Sequence, residues 1–173
     1  MAGTFVWPLA IRIGHWLLVG TTVTSWLTRH AEGVWHEWLG YAVLVVVVWR
    51  VVTGVLGEAP YAFNSFVVSP TKTLIYLRQL PGSSASPNAG HNPLGAWMVM
   101  TLLMFLTLVS FTGWLYTTDR FWGVEWVGNA HTLSSDLLIA AVVLHISGVL
   151  FASWRERQNL IAAMIHGRKS EAR

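Results

Sequence analysis

The chain has 173 residues, of which 54% are hydrophobic and only 11% are charged. A soluble domain carries roughly twice that share of charge, so the composition indicates a membrane protein built as one compact bundle. The absence of cysteine excludes disulfides, thiolate metal sites and Cys-ligated iron–sulfur clusters. The formal net charge of +3 is modest, and the positions of the charges are more informative than their sum.

Four apolar runs are long enough to cross a membrane as helices. A helix needs about 20 mostly apolar residues to cross the hydrocarbon core, and runs this continuous are not the alternating strands of a barrel. The predicted spans are residues 8–28, 35–57, 93–117 and 130–154, with Pro8 well placed at a helix start. The sequence therefore predicts an all-α integral membrane protein, a four-helix bundle in a single membrane domain.

The connection between the second and third spans contains a predicted surface helix. Residues 70–80, PTKTLIYLRQL, intersperse apolar side chains with Lys72 and Arg78, which suits a short amphipathic helix lying at the membrane surface. Residues 81–92, PGSSASPNAGHN, are rich in Gly, Ser, Asn and Pro and are predicted to be a mobile loop. Residues 155–173 are predicted to form a cytoplasmic tail with one more short interfacial helix.

The distribution of Lys and Arg predicts the orientation of the bundle. With both ends on one side, that side holds nine of the eleven basic residues, and the other side holds only Arg29 and Arg120. Positive residues accumulate on the cytoplasmic side, so we expect a multi-pass protein of the bacterial inner membrane with both termini in the cytoplasm. Tryptophans near the span ends are typical of an interfacial aromatic belt. They are Trp7, Trp35, Trp38, Trp122, Trp126 and Trp154.

Four of the seven histidines form two pairs at matching depths in the predicted bundle. His36 and His131 lie at the outer ends of the second and fourth spans, whereas His15 and His145 lie towards the inner surface. His131 and His145 are fourteen residues apart, which is about 40° round a helix and roughly 21 Å along it. Neutral imidazole is a suitable axial ligand for heme iron, and a bundle core is a usual place for a cofactor. The pattern predicts an outer heme on the first pair and an inner heme on the second.

Five further residues near the paired histidines have two interpretations each. Gly14, Gly40 and Gly148 would let a flat macrocycle approach the backbone, or would let helices pack closely in lipid. Arg12 and Arg50 lie near the inner surface, where they would pair with heme propionates. The alternative for both arginines is snorkelling to the lipid headgroups.

Other uses of the histidines fit less well. At helix ends, His30, His91 and His166 are typical of interfacial anchors. A zinc site needs ligands that converge at one level, whereas these rings divide into two levels. A proton relay needs carboxylates within the spans, and the one candidate, Asp136, lies about 140° round the helix from His131.

Three stretches of the chain resemble the bacterial cytochrome b561 family, in particular its branch of b-type subunits of nickel–iron hydrogenases. They are VWPLAIRIGHWLLV, HEWLGYAVLVVVVWRVVTGVLG and GHNPLGAWMV, and the resemblance covers nearly the whole chain. It implies a four-helix inner-membrane protein with two b hemes on His15, His36, His131 and His145, exchanging electrons with quinone and a redox partner. It also implies that the GHNP residues, His91 and Asn92, contact a propionate or a quinone. The alternative for that motif is a plain helix start with an Asn cap and Pro at the first position.

Together these features predict a diheme cytochrome b that carries electrons between the quinone pool and a periplasmic cytochrome c, dehydrogenase or hydrogenase subunit. The expected cofactors are two heme b groups and a bound quinone; membrane lipid surrounds the protein, and we expect no nucleic-acid partner. One alternative is a superoxide:quinone oxidoreductase of the same family, although the outer side offers an anion only two basic residues among seven charges. The other is a non-redox module whose histidines anchor the chain or relay protons.

Overall fold

The structure is a computed structural model that describes residues 4–30, 34–59, 61–79 and 92–169. Apart from one short strand pair, the described elements are helical, as the composition predicts. In chain order they are β1 (Thr4–Phe5), α1 (Leu9–Leu27), α2 (Trp35–Leu56), a short 3-10 helix (Phe63–Ser65), α3 (Pro70–Gln79), α4 (Pro93–Tyr116), α5 (Glu125–Glu156), α6 (Leu160–His166) and β2 (Arg168–Lys169).

Three helices of the described chain, α2, α4 and α5, are long and apolar enough to cross a membrane. The protein is therefore a multi-pass membrane protein. The first predicted span corresponds to α1, which has nineteen residues but does not reach the same hydropathy because it carries Arg12, His15 and several hydroxyl side chains. At 32 residues, α5 begins five residues before the predicted start, since Glu125 in its first turn complements the helix dipole.

Local sequence signals explain where two of the helices begin and end. The Asn92 side chain accepts a hydrogen bond of 2.7 Å from the backbone N–H of Gly95, and Pro93 occupies the first position of α4, where a missing N–H costs nothing. Asn159 caps α6 in the same way, with 2.9 Å from its Oδ1 to the N–H of Ala162. Gly167 then ends α6 in the left-handed conformation, with φ of 79°.

Contacts divide the chain into two compact units. The first unit comprises the described residues of Met1–Arg12, Thr53–Met100 and Val143–Arg173, and the second comprises those of Ile13–Val52 and Thr101–Val142. The second unit contains His15, His36 and His131, and the first contains His145.

The second unit is organised round one apolar cluster contributed by its helix segments. Val43 and Val47 of α2, Leu106 of α4 and Leu138 of α5 are all buried. Leu18 of α1 packs against the same cluster. In lipid, burial of apolar surface does not by itself drive association, so close van der Waals packing of these side chains holds the helix segments together.

The first unit joins the two ends of the described chain. β1 and β2 pair antiparallel, with Thr4 opposite Lys169 and Phe5 opposite Arg168. The carbonyl of Gly167 accepts hydrogen bonds from the N–H groups of Val6 and Trp7, at 2.8 and 3.2 Å. This pairing was not expected, because two-residue strands leave no periodic pattern in a sequence.

Candidate heme site

The structure brings His36 and His131 together within the second unit. His36 lies in the first turn of α2, His131 lies in the second turn of α5, and both are partly buried. Their ring centroids are 6.0 Å apart and their planes are nearly perpendicular, at 89°. Two residues separated by almost a hundred positions in sequence thus form one imidazole pair.

Backbone carbonyls from two other helices hold these rings. Nδ1 of His36 is 2.9 Å from the carbonyl oxygen of Ser25 in α1, and Nδ1 of His131 is 3.0 Å from the carbonyl oxygen of Val109 in α4. A carbonyl oxygen only accepts hydrogen bonds, so each Nδ1 carries a proton and donates it. In a neutral ring this leaves the lone pair on Nε2, which is the form that binds a metal. Both rings are therefore held in the same metal-binding tautomer.

Hydroxyl groups lie beside both of these hydrogen bonds. The Oγ of Ser25 is 3.2 Å from Nδ1 of His36, and the Oγ1 of Thr112 is 3.4 Å from Nδ1 of His131. Each Nδ1 thus faces one carbonyl and one hydroxyl from the same neighbouring helix. These polar groups restrict rotation of the rings and orient Nε2 away from α1 and α4.

Gly113 lets His131 reach its carbonyl partner. In a helix the carbonyl of one residue points towards the fourth residue beyond it, so the carbonyl of Val109 points towards Gly113. A Cβ added at Gly113 would lie 3.0 Å from Cε1 and 3.2 Å from Nδ1 of His131. Sequence reasoning missed this residue, although a glycine at the depth of His131 in the third span was a usable signal.

Two buried hydroxyls in the second unit have no hydrogen-bond partner among the described residues. They are the Oγ1 of Thr22 and the Oγ of Ser110, and Ser110 is only 8% exposed. Several other hydroxyls of these helices bond back to a carbonyl one turn earlier, as Thr107 does to Leu103 at 2.7 Å. An unsatisfied buried hydroxyl costs about 1–3 kcal/mol, and a bound group or water is the usual explanation for one in a native fold.

The three glycines predicted to pack against heme have different surroundings. Gly14 is buried, and a Cβ on it would lie 2.6 Å from Cζ3 of Trp49, so the flat ring it accommodates here is an indole. A Cβ on Gly40, one turn after His36, would meet no described atom within 4 Å. The same holds for Gly148, which is exposed. Open space beside the histidine pair is therefore found at Gly40.

The predicted propionate and quinone contacts also have different surroundings. Arg12 donates a hydrogen bond from its guanidinium to the carbonyl of Ile165, where it caps the last turn of α6. Arg50 lies on α2 and is half-buried. Asn92 is the cap of α4, which is the plain helix start that the sequence left open. His91 lies outside the described residues.

The predicted inner pair is divided between the two units. His15 lies on α1, with its ring 5.1 Å from that of its neighbour Trp16. His145 lies on α5 and is half-buried. Their pairing therefore stays a prediction from the sequence. His30 and His166, the predicted interfacial anchors, are both exposed.

Comparison with protein families decides the class of the protein. The family model described as prokaryotic cytochrome b561 matches residues 6–167. The chain belongs to this family. The match runs from the segment before α1 to the end of α6. Membership makes the protein a membrane-bound b-type cytochrome, which binds b-type heme and transfers electrons. Comparisons with curated proteins and with solved structures each found no significant match.

The side chains of the His36–His131 pair in this cytochrome fit a heme iron. Both rings offer a neutral imidazole with its lone pair on Nε2, which is a donor that heme iron takes, and their centroids are 6.0 Å apart. Within the described part of the chain, no group of three or more His, Asp or Glu side chains converges. Two imidazoles therefore suit a heme iron better than a zinc ion, which takes three or four protein ligands.

Proposed function

We propose that this member of the cytochrome b561 family is a diheme cytochrome that carries electrons between the quinone pool and a periplasmic redox partner. The observation that supports it most directly is the pair of His36 and His131, with both Nδ1 groups bonded to carbonyls. When bound, heme supplies reversible one-electron oxidation and reduction at its iron.

His36 and His131 would bind the outer heme iron through Nε2. The carbonyls of Ser25 and Val109 fix the two rings and make Nε2 a stronger donor by accepting the Nδ1 protons. Gly40 leaves room for the macrocycle beside α2. The two partnerless hydroxyls, Thr22 and Ser110, supply polar groups inside the same unit that a bound cofactor or its water would satisfy.

His15 and His145 would bind the inner heme. This requires α1 to cross the membrane as a fourth span. Its nineteen residues extend about 28 Å, which is close to the roughly 30 Å of the hydrocarbon core. Fourteen residues of α5 separate His131 from His145, so the two sites would lie about 21 Å apart along that helix.

The direction of insertion follows from the basic residues. With four spans, nine of the eleven Lys and Arg residues would fall on the side of the two chain ends, so we place both ends in the cytoplasm of a bacterial cell. The outer heme would then face the periplasmic partner and the inner heme the cytoplasmic side of the membrane. A cytochrome c, a dehydrogenase or a hydrogenase subunit would suit the periplasmic position.

Heme counts on purified variants test this proposal. The wild type should show a b-type α-band in its reduced-minus-oxidised spectrum and two hemes per chain. His131→Ala should lose the outer heme and His145→Ala the inner one, each leaving one heme per chain. The matched control, His30→Ala, removes an exposed histidine and should keep both hemes.

Four results would contradict the proposal. Absence of a b-type α-band in the wild type would exclude heme binding. Two hemes in His131→Ala would exclude the outer pairing, and two in His145→Ala would exclude the inner one. Superoxide-dependent quinone reduction by the purified wild type would instead identify an enzyme that acts without a periplasmic partner.

A further inference from the structure

Helix α3 of the first unit has one side against the protein and the other side exposed. At about 100° per residue, Thr73 and Tyr76 share one face. Thr73 is 8% exposed and its Oγ1 accepts a 3.2 Å hydrogen bond from the indole N–H of Trp97. Burial raises the pKa of the Tyr76 phenol above its ordinary value, as expected on a protein-facing side. The opposite face carries Leu74 and Ile75, each 49% exposed.

Helix α6 has the same arrangement. Ala163 is only 2% exposed, while Ile161 and Ile165 on the opposite face are 45% and 51% exposed. The helix is fixed at its start by the Asn159 cap and at its end by the bond from Arg12 to Ile165. Its apolar face is therefore held in place rather than collapsed onto the protein.

Positive charge is concentrated in the same unit. The described residues of the first unit contain seven Lys and Arg against two Glu, a net charge of +5, whereas those of the second unit contain three Arg against four acidic residues, a net charge of −1. One of the two glutamates, Glu156, is within 3.9 Å of Lys169. Four of the basic side chains are exposed and lie on or beside the two helices. They are Lys72, Arg78, Arg157 and Arg168.

We propose that anionic phospholipid binds to the outward faces of α3 and α6 and to these four basic residues. Together these faces and residues are called the lipid surface. Acyl chains would contact the exposed Leu and Ile side chains, and the basic side chains would hold the headgroup phosphate. An uncharged or zwitterionic lipid would make the acyl-chain contacts but would gain little from the basic side chains, because its headgroup has no net negative charge. Each basic residue near an anionic lipid surface strengthens binding roughly fivefold.

Lipid fits this surface better than an acidic protein does. The apolar side chains belong to a protein whose neighbouring helices α2, α4 and α5 are themselves membrane spans. Short amphipathic helices attached to spans lie at the headgroup level, where apolar and basic side chains are both satisfied. The inference is independent of the heme proposal, since none of its residues is a proposed heme ligand.

Titration of the full chain with soluble lipid tests the proposal. The protein in uncharged detergent is titrated with dioctanoyl phosphatidylglycerol, and its midpoint of thermal unfolding is measured, since a ligand of the native state raises that midpoint. We expect a saturable rise that weakens as salt is added, and a much smaller rise with dioctanoyl phosphatidylcholine.

Matched double variants locate the surface. Arg78→Gln with Arg168→Gln should raise the half-saturating phosphatidylglycerol concentration about 25-fold, from roughly fivefold per residue. The control, Arg29→Gln with Arg120→Gln, removes the same amount of charge from the second unit. It should change the half-saturating phosphatidylglycerol concentration less than about twofold.

Several results would overturn the proposal. They are an equal rise with both lipids, an equal rise with inorganic phosphate alone, a rise that salt does not weaken, or equal weakening by the two double variants. Far-UV circular dichroism checks that the variants keep their helices. If the first double variant does not fold, the comparison of lipids, phosphate and salt on the wild type still tests whether the protein binds anionic phospholipid.

Discussion

Replacing Gly113 by alanine tests whether α4 holds the ring of His131. The added Cβ would lie 3.0 Å from Cε1 and 3.2 Å from Nδ1 of His131, whereas carbon atoms in contact prefer about 3.5–4.0 Å. The ring must therefore move by roughly 0.5 Å or more. Such a shift stretches the 3.0 Å bond from Nδ1 to Val109 towards the distance at which a hydrogen bond is lost.

The expected cost follows from these contacts. Overpacking costs about 1–3 kcal/mol, and loss of the hydrogen bond adds about 0.5–1.5 kcal/mol. Better helix propensity of alanine returns about 1 kcal/mol. The net loss is therefore about 0.5–3.5 kcal/mol. A loss of that size borne by the heme-bound form weakens heme binding roughly 2- to 400-fold.

The assay is the heme content of purified Gly113→Ala, together with the midpoint potential of the outer heme. We expect partial loss of that heme during purification and a shifted potential for the fraction retained, because the ring loses its fixed orientation. The control is Gly20→Ala on α1, where a Cβ would meet no described atom within 4 Å. Wild-type heme content and potential in Gly113→Ala would refute the reasoning.

Two further variants test other glycines. Gly40→Ala should raise the midpoint of thermal unfolding of the heme-free protein, because alanine favours a helix by about 1 kcal/mol. It should also lower the content of outer heme, because the added methyl takes space that the macrocycle would use. Unchanged heme content would contradict a macrocycle beside Gly40. Gly167→Ala combines a positive φ with a Cβ 2.9 Å from the carbonyl of Trp7, so it should lose more than the roughly 1–2 kcal/mol that the backbone alone costs. Gly123→Ala has a similar φ and open space and is its control; equal losses in unfolding free energy would show that the close approach has no effect.

The sequence sufficed for the parts of the fold that follow from helix geometry. Apolar run length predicted the long helices α2, α4 and α5, and the ends of two predicted spans placed His36 and His131 at one depth. The depth of a histidine does not specify which neighbouring helix its ring faces. The hydrogen bonds to the carbonyls of Ser25 and Val109 therefore could not be predicted from the sequence. The family resemblance, confirmed by the match over residues 6–167, supplied the chemistry that spacing alone left open.

Residues with two interpretations needed the structure. Gly14 and Arg12 both lie near His15 in sequence, which suggested heme contacts for both. In the structure Gly14 lies against the indole of Trp49 and Arg12 donates a hydrogen bond to the carbonyl of Ile165, while the predicted heme contacts stay predictions. Both interactions join positions far apart in the chain, and no local pattern marks them.

The pairing of β1 with β2 has a consequence for the order of assembly during synthesis. All residues of the second unit, including His36 and His131, have been synthesised once the ribosome passes Val142. The strand pair needs Arg168 and Lys169, which follow roughly 1–5 s later at about 5–20 residues per second. A nascent chain can therefore offer its first imidazole pair to heme before the two strands pair and complete the first unit.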